Sequence, residues 1–368
     1  MISSILFYIV ILGLIIVLAY GVDKNGSRKK LISIVLILSL VSGLRASVVG
    51  IDTYSYYSIF EAVYNDDPTL AWRNIEPTFL YICKLLLHIS TNPNFLLFLF
   101  ALLANSLIIL RLWDFKDVAP FPWMIACYYS SFYFLSMNIV RQFCAIAIIF
   151  FATRYLFERK YIVYMFALGL AYLFHRSALV GLLFFCVELI DWAQLNKKQK
   201  LFIFLGFATI PIYIGHIIAN IQMYFKYFKS FSPNIGFMLP VKIVLAVFLG
   251  IGLKIIRNND DNSMNNHEHN KADTMIVTYD NPGFINRIKG YYYVGLLLTF
   301  LGYFFSFMDR IGLPFYLYEC VFVGVLVKYR SDRKICKMIY ALLIAYVLFS
   351  EFRGNGQGVL PYVFFWKR

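Results

Sequence analysis

Residues 94–112, NFLLFLFALLANSLIILRL, form an apolar run of nineteen residues that contains one charged side chain, Arg111. A helix needs about 20 apolar residues to cross the hydrocarbon core of a bilayer. The apolar residues are continuous and do not alternate with polar ones, which favours a helix over a barrel strand. In lipid, a helix satisfies all of its backbone polar groups within the segment. The run therefore predicts a transmembrane α-helix.

The rest of the chain extends this pattern. Of its 368 residues, 61% are hydrophobic and 15% are charged, whereas a soluble domain is about half apolar and a quarter charged. We predict an all-α, polytopic integral membrane protein, with residues 1–368 forming a single transmembrane domain of about twelve helices. The predicted spans are 3–20, 31–47, 94–112, 118–137, 138–157, 160–176, 177–192, 201–219, 238–256, 290–308, 311–328 and 335–350.

Basic residues predict the orientation of these spans. Of the 34 Lys and Arg residues, 20 lie in one set of loops and 11 on the opposite side. The basic loops are 21–30, 111–118, 158–160, 193–200, 257–289 and 328–337. Because cytoplasmic loops carry the excess of Lys and Arg, this set is predicted to be cytoplasmic and both termini to face outward. Residues 257–289, rich in polar side chains, are predicted to be a flexible cytoplasmic loop.

One segment does not fit a simple span count. Residues 75–90, IEPTFLYICKLLLHIS, look helical but are short and carry Glu76, Lys84 and His88. If they crossed the bilayer, every later loop would invert and the basic loops would face outward. We therefore predict an interfacial or re-entrant helix, and one extracytoplasmic loop over residues 45–93.

Charged side chains in a membrane protein are costly and indicate functional sites, and here they gather on the predicted outer side. Arg45 lies at the outer end of the second span, Asp52 and Tyr57 follow that span, and Glu76 lies near the start of the interfacial segment. A carboxylate shielded from water can act as a general base. The alternatives are structural: Asp52 as a helix cap, Arg45 as a snorkelling cation, and Glu76 offsetting a helix dipole.

Further polar residues follow at two predicted outer turns and one span end. Asn138, Arg141 and Gln142 have the spacing of one helical face, which predicts a buried ligand-binding arginine or a structural hydrogen-bond network. His175 and Arg176 lie at the turn of a helical hairpin, where His175 is a base, a proton shuttle or a hydrogen-bonded turn residue. Arg310 lies at a later outer turn. Several arginines around one outer site suit a phosphate-bearing ligand.

Four motifs in order carry a resemblance. The strings GLR-x4-GIDTYSYY-x2-F from Gly43, EPTF from Glu76, NIVRQ-x2-A from Asn138 and FHRSAL from Phe174 are similar to the EpsG/Wzy-type polysaccharide polymerase family. The resemblance covers roughly residues 40–180 and implies a GT-C-like transferase in the bacterial inner membrane. Its active site would face the periplasm or exterior, its substrates would be lipid-linked, and it would need no cofactor and no metal.

The implied reaction joins two undecaprenyl-diphosphate-linked oligosaccharides of O antigen, capsule or exopolysaccharide. The growing glycan leaves its carrier and joins the non-reducing end of a new unit. Candidate bases are Asp52, then His175, then Glu76. The candidate ligands for the diphosphate or glycan are Arg45, Tyr57, Asn138, Arg141, Gln142, Arg176 and Arg310. Besides the bilayer, a chain-length regulator and a flippase are candidate partners.

Other function classes compete with this interpretation. An O-antigen ligase shares the same use of Arg and His, and a lipid-linked oligosaccharide flippase binds the same substrate. A flippase would place cations along a path through both halves of the membrane, whereas these gather at one face. An acyltransferase would use an intramembrane His. The net charge of +14 follows from membrane orientation, so nucleic acid is not predicted as a partner. No P-loop, GxGxxG or GxSxG motif is present.

Overall fold

The computed structural model describes residues 1–72, 75–188, 198–199, 282–302, 308–329 and 333–367. Within these ranges the regular secondary structure is helical, apart from one isolated antiparallel bridge between Arg45 and Phe364, and turns and loops join the helices. The predicted spans 201–219 and 238–256, and residues 257–281 of the predicted cytoplasmic loop, lie outside the described residues. Residues 282–289 of that loop are helical, because helix α11 begins at Pro282, and Pro is well suited to the first turn of a helix.

The helices are α1 (Ile2–Asn25), α2 (Arg28–Gly43), α3 (Thr53–Tyr64), α4 (Pro77–Leu87), α5 (Pro93–Asp114), α6 (Phe121–Tyr128), α7 (Phe134–Ser136), α8 (Val140–Phe157), α9 (Tyr161–Phe174), α10 (Leu182–Glu188), α11 (Pro282–Gly302), α12 (Met308–Tyr316), α13 (Tyr318–Tyr329) and α14 (Arg333–Gly354). Short 3₁₀ turns occupy Pro68–Trp72 and Arg176–Gly181, and a π turn at Tyr129–Tyr133 joins α6 to α7.

Four stretches of described helix are long and apolar enough to cross a membrane: Ile2–Asn25, Pro93–Asp114, Val140–Phe157 and Arg310–Lys328. The protein is therefore a helical membrane protein. The count of twelve spans and the GT-C-like architecture stay predictions. Helix α4 is apolar but only 11 residues long, too short to span a bilayer, which fits the short helix predicted within residues 75–90.

Helix α8 lies at the centre of the bundle and α1 at its edge. In the apolar window of α8, 78% of the residues are buried, against 22% in α1. Helix α8 packs against α5 on one side and α9 on the other. The α2–α5 contact depends on Gly43, because a Cβ there would meet the Cβ of Phe98 at 2.5 Å. The exposed apolar face of α1 is the surface expected of a helix in contact with lipid.

One end of the bundle collects both chain termini. Backbone N–H of Tyr362, beyond α14, donates to the Ser4 hydroxyl at the start of α1 over 3.0 Å. The Tyr362 hydroxyl donates to the carbonyl of Val41, near the end of α2, over 2.8 Å. We call this the tail-bearing end. Ser4 and Tyr362 thus lie together, and the predicted outward orientation of both termini stays a prediction.

The opposite end is held by a partly buried ionic network around Asp114. Arg154 donates three hydrogen bonds to Asp114, and Arg111 donates a fourth over 2.9 Å. Arg111 is 1% exposed, and its guanidinium lies 4.3 Å and 4.9 Å from the ring centres of Phe115 and Phe157. Because α5 supplies Arg111 and Asp114 and α8 supplies Arg154, the network ties these two helices together.

Replacing Asp114 with Ala is expected to destabilise the fold by about 3 kcal/mol, since it leaves the two arginines without their anion. The thermal unfolding midpoint of purified protein in detergent measures the effect. The matched control is Asp117→Ala, because the Asp117 side chain is exposed and the hydrogen bond from Lys328 goes to the Asp117 backbone carbonyl, which the substitution keeps. Equal midpoints for the two variants would contradict a structural role for Asp114.

Candidate functional site

Helix α4 delivers a carboxylate to the tail-bearing end. Glu76 occupies the N-cap position, Pro77 begins the helix, and the Glu76 side chain makes no capping hydrogen bond. Glu76 is only 9% exposed, and its carboxylate forms an ion pair with Arg141. Its Oε1 lies 3.9 Å from Nε2 of His175. We call Glu76, Arg141 and His175 the ion-pair cluster; the three residues come from α4, α8 and the end of α9.

Arg141 lies in the first turn of α8, where the helix dipole is positive and disfavours a cation. Glu76 offsets this cost. The guanidinium also lies 5.2 Å from the ring centre of Phe79, one helical turn after Glu76. Its Nε is buried and has no hydrogen-bond partner among the described residues. A buried donor without a partner is costly, so Arg141 has hydrogen-bonding capacity left for a ligand.

The tautomer of His175 follows from its neighbour. Backbone N–H of Ser177 donates to His175 Nδ1 over 3.2 Å, and the Ser177 hydroxyl lies 2.8 Å from the same nitrogen. Because Nδ1 accepts, the proton of the neutral ring is on Nε2, the nitrogen that faces Glu76. Burial lowers the pKa of His175; Glu76 opposes this, and Arg141, Arg310 and Arg176 add to the lowering. His175 is therefore a neutral hydrogen-bond donor at pH 7.

Two further arginines surround this cluster. Arg310 and Arg176 both act electrostatically on His175, and both side chains are exposed. Gln142 donates from Nε2 to the backbone carbonyl of Arg310 over 3.4 Å, which ties α8 to α12. Among the described residues, three arginines thus accompany one carboxylate and one neutral histidine. Such a site favours a multiply charged anion.

Arg45 and Tyr57 lie in a separate buried group. Arg45 is fully buried, and its guanidinium donates to Thr53 Oγ1, to the carbonyl and hydroxyl of Ser42, and to the Met137 carbonyl. Ser42 and Met137 lie at the C-terminal ends of α2 and α7, where carbonyls lack helical partners and the dipole favours a cation. Arg45 therefore caps two helix ends. Its predicted contact with a diphosphate stays a prediction.

Tyr57 supports the same group. Its hydroxyl donates to Oδ1 of Asn94, and it also lies 3.3 Å from the Arg45 carbonyl. Asn94 in turn donates to the carbonyls of Gly43 and Arg45 over 2.6 Å and 2.8 Å. All of these polar atoms are buried, and each pairing offsets a desolvation cost. The environment of Tyr57 is thus structural, and its predicted contact with glycan stays a prediction.

Asp52 and Asn138 border the ion-pair cluster. Asp52 occupies the N-cap position of α3 but makes no side-chain capping bond, and its backbone N–H donates to Asn138 Oδ1 over 3.3 Å. Both Asp52 and Arg141 act electrostatically on the Tyr56 hydroxyl. Asn138 was predicted to share a helical face with Arg141 and Gln142. That was wrong, because α8 begins at Val140 and Asn138 lies in the turn before it.

Sequence reasoning missed several residues of this region. Tyr56 lies four residues after Asp52, and Phe79 lies three after Glu76; both spacings place them one helical turn away, a signal that was available. Ser177 belongs to the FHRSAL motif that begins at Phe174, but the motif does not indicate that Ser177 contacts His175. Gln357, which hydrogen-bonds Asn138, has no sequence signal, since it lies more than 200 residues away from its partner.

The state of His175 predicts a pH dependence. The folded-state pKa lies below the ordinary value of 6.5, so protonation costs stability as pH falls from about 6.5 through the folded value. Protonated His175 would also form an ion pair with Glu76, and the Glu76 carboxylate would then be less available to act as a base. Because the folded-state pKa of His175 is lowered, we expect kcat/KM to stay level at pH 6.5 and to fall only at lower pH, where His175 itself becomes protonated. His175→Gln should move this loss to still lower pH. Identical pH profiles for the two proteins would contradict the assignment.

The geometry defines a helical membrane protein with an arginine-rich, acid-containing site at one end of its bundle. A protein-family model described as the EpsG family matches residues 30–364. The chain therefore belongs to the EpsG family, as its motifs predicted. Membership supports a polysaccharide polymerase-like, glycosyltransferase-like role. Searches of curated proteins and of solved structures found no match.

Proposed function

We propose that this protein polymerises undecaprenyl-diphosphate-linked oligosaccharide repeat units at the outer face of the bacterial cytoplasmic membrane. It transfers the growing glycan from its lipid diphosphate to the non-reducing end of a new lipid-linked unit. One observation carries the proposal: Glu76 is ion-paired to Arg141 beside neutral His175, with Arg176 and Arg310 acting on the same place. A carboxylate and several guanidiniums are the groups that this transfer needs.

The arginines bind the diphosphate of the donor. Guanidinium groups bind phosphate oxygens through paired hydrogen bonds and stay charged when partly buried. Arg141 has a buried Nε donor that no described residue uses. Arg310 and Arg176, whose side chains are exposed, add positive charge. The negative charge that develops on the leaving diphosphate is stabilised most where such donors are already in place.

Glu76 is the group best placed to act as the base. His175 is a weaker candidate, because burial and the neighbouring arginines lower its pKa and disfavour its taking a proton, and its Nδ1 already accepts from Ser177. Asp52 lies at the border of the cluster and was the first candidate from sequence. Glu76 is instead at its centre, paired with Arg141. When the diphosphate recruits Arg141, the carboxylate is released from part of its ion pair.

The transfer forms one glycosidic bond and breaks the bond between the growing glycan and its diphosphate. The acceptor hydroxyl gives its proton to Glu76, and its oxygen forms the new bond to the anomeric carbon of the growing glycan. The bond from that carbon to the diphosphate oxygen breaks, and undecaprenyl diphosphate leaves with the electron pair. His175, whose Nε2 lies 3.9 Å from Oε1 of Glu76, takes no proton in this step. Glu76 then returns its proton to solvent or to the departing diphosphate.

Purified protein with defined lipid-linked repeat units tests the proposal. We expect a ladder of products with increasing numbers of units, unchanged by EDTA because the cations are arginines. Transfer of glycan to lipid A core without a ladder would instead indicate a ligase. Movement of intact substrate across vesicles without new glycosidic bonds would indicate a flippase. A flippase and a chain-length regulator would act before and beside this polymerase as its partners.

A further inference from the structure

The C-terminal tail, residues 355–366, folds back over the tail-bearing end of the bundle. Backbone N–H of Ala46 donates to the Val363 carbonyl over 2.8 Å, and that of Phe365 to the Leu44 carbonyl over 3.0 Å. The Tyr8 hydroxyl donates to the Val359 carbonyl over 3.2 Å. Within the tail, the Asn355 side chain bonds both the N–H and the carbonyl of Leu360. The tail is therefore an ordered part of the bundle.

Gln357 is the residue of this tail that reaches the site. Its Oε1 accepts a hydrogen bond from Asn138 Nδ2 over 2.7 Å, and its backbone carbonyl accepts from the same nitrogen over 2.9 Å. That carbonyl also accepts from the N–H of Ile51 over 3.3 Å. The Gln357 N–H donates to Oε1 of Glu351 over 2.9 Å, which fixes the tail to the end of α14.

Asn138 transmits this contact to two segments of the candidate site. The residue is 3% exposed, and its Oδ1 accepts from the N–H of Asp52, so both ends of the amide are used. Gly50, with φ of 96°, lies against it; a Cβ there would come within 2.9 Å of Oδ1. Asn138 therefore has little room to move. Along the chain it precedes Arg141 by three residues, at the start of α8.

We infer that Gln357 is a positioning residue for the transfer reaction. Through Asn138 it sets where the segment of Asp52 lies relative to the first turn of α8, and hence where Arg141 meets its ligand. The inference rests on the proposed function of the ion-pair cluster. Small displacements of groups that orient a substrate lower the catalytic rate more than they lower binding. Among the described residues, no hydrogen bond or ion pair joins Gln357 directly to the ion-pair cluster.

Replacing Gln357 with Met tests the inference, because Met keeps the length of the side chain and removes Oε1. We expect kcat in the purified polymerisation assay to fall about 10-fold, with KM changed less than about twofold. Gln357→Glu keeps an oxygen that accepts from Asn138, so it should retain kcat within about threefold of the unmodified protein. The thermal midpoint is measured for each variant.

The matched control is Tyr362→Phe, which removes one tail hydrogen bond, to Val41 in α2, and leaves the hydrogen bonds of Gln357 and Asn138 in place. It should keep normal kcat. Equal loss of kcat in Gln357→Met and Tyr362→Phe, or no loss in Gln357→Met, would overturn the inference. Glu76→Gln in the same assay separates the two proposals. If that variant is fully active, the proposed site is wrong; if it is inactive while Gln357→Met is normal, only the positioning role is wrong.

Discussion

Replacing Glu76 with Gln is expected to lower kcat for glycan polymerisation by about 10²–10⁴-fold, the usual contribution of a general base. Glutamine has nearly the same shape and can still accept a hydrogen bond from Arg141, but it cannot take the proton of the acceptor hydroxyl. The Glu76 carboxylate is the acid nearest to both Arg141 and His175 among the described residues. Initial rates of ladder formation with purified protein measure the effect.

Asp52→Asn is the matched comparison, since it neutralises the other candidate carboxylate and leaves the backbone N–H that bonds Asn138. We expect this variant to lose less than about 10-fold in kcat, because the ion pair of Arg141 and the close contact of His175 among the described residues are with Glu76 and not with Asp52. The reverse order of effects would assign the base to Asp52, the first candidate from the sequence, and would contradict the role proposed for Glu76.

The helices of this protein could be predicted from the sequence better than the contacts between residues on different helices. Long apolar runs indicate helices because lipid leaves the backbone few alternatives, and the short segment around Glu76 was recognisable from its length and charges. The motifs also named Glu76, Arg141 and His175 as candidates. They did not pair them, since the three residues lie on separate helices and no local period connects positions that far apart along the chain.

Arg45 and Arg141 show where sequence reasoning ends. Each lies near one end of an apolar run, and each was a candidate for the diphosphate. In the fold, the Arg45 guanidinium donates hydrogen bonds to carbonyls at the C-terminal ends of two helices, which is a favourable place for a cation. Arg141 lies at the opposite kind of helix end and needs a carboxylate. The difference depends on which helix ends meet, and one sequence does not encode that locally.

Arg141→Ala is expected to abolish long polymer while a folded protein remains in the membrane. Loss of one set of preorganised donors to a developing anion costs about 10²–10³-fold in rate. The substitution also leaves Glu76, which is 9% exposed, without its cation. Because Arg141 is itself partly exposed, we expect destabilisation of about 1–3 kcal/mol, less than for a fully buried pair. Product length and thermal midpoint are measured together.

A double variant separates the two effects of Arg141. In Glu76→Gln with Arg141→Gln, two neutral amides replace the ion pair, so the thermal midpoint should return towards that of the unmodified protein while polymer stays absent. Arg141→Lys should retain the ion pair and the fold but lose the paired donors that guanidinium offers to phosphate, and so make shorter products. Polymer of normal length from Arg141→Ala would remove Arg141 from the mechanism. That result would also contradict the proposal that diphosphate binding releases Glu76 to act as the base.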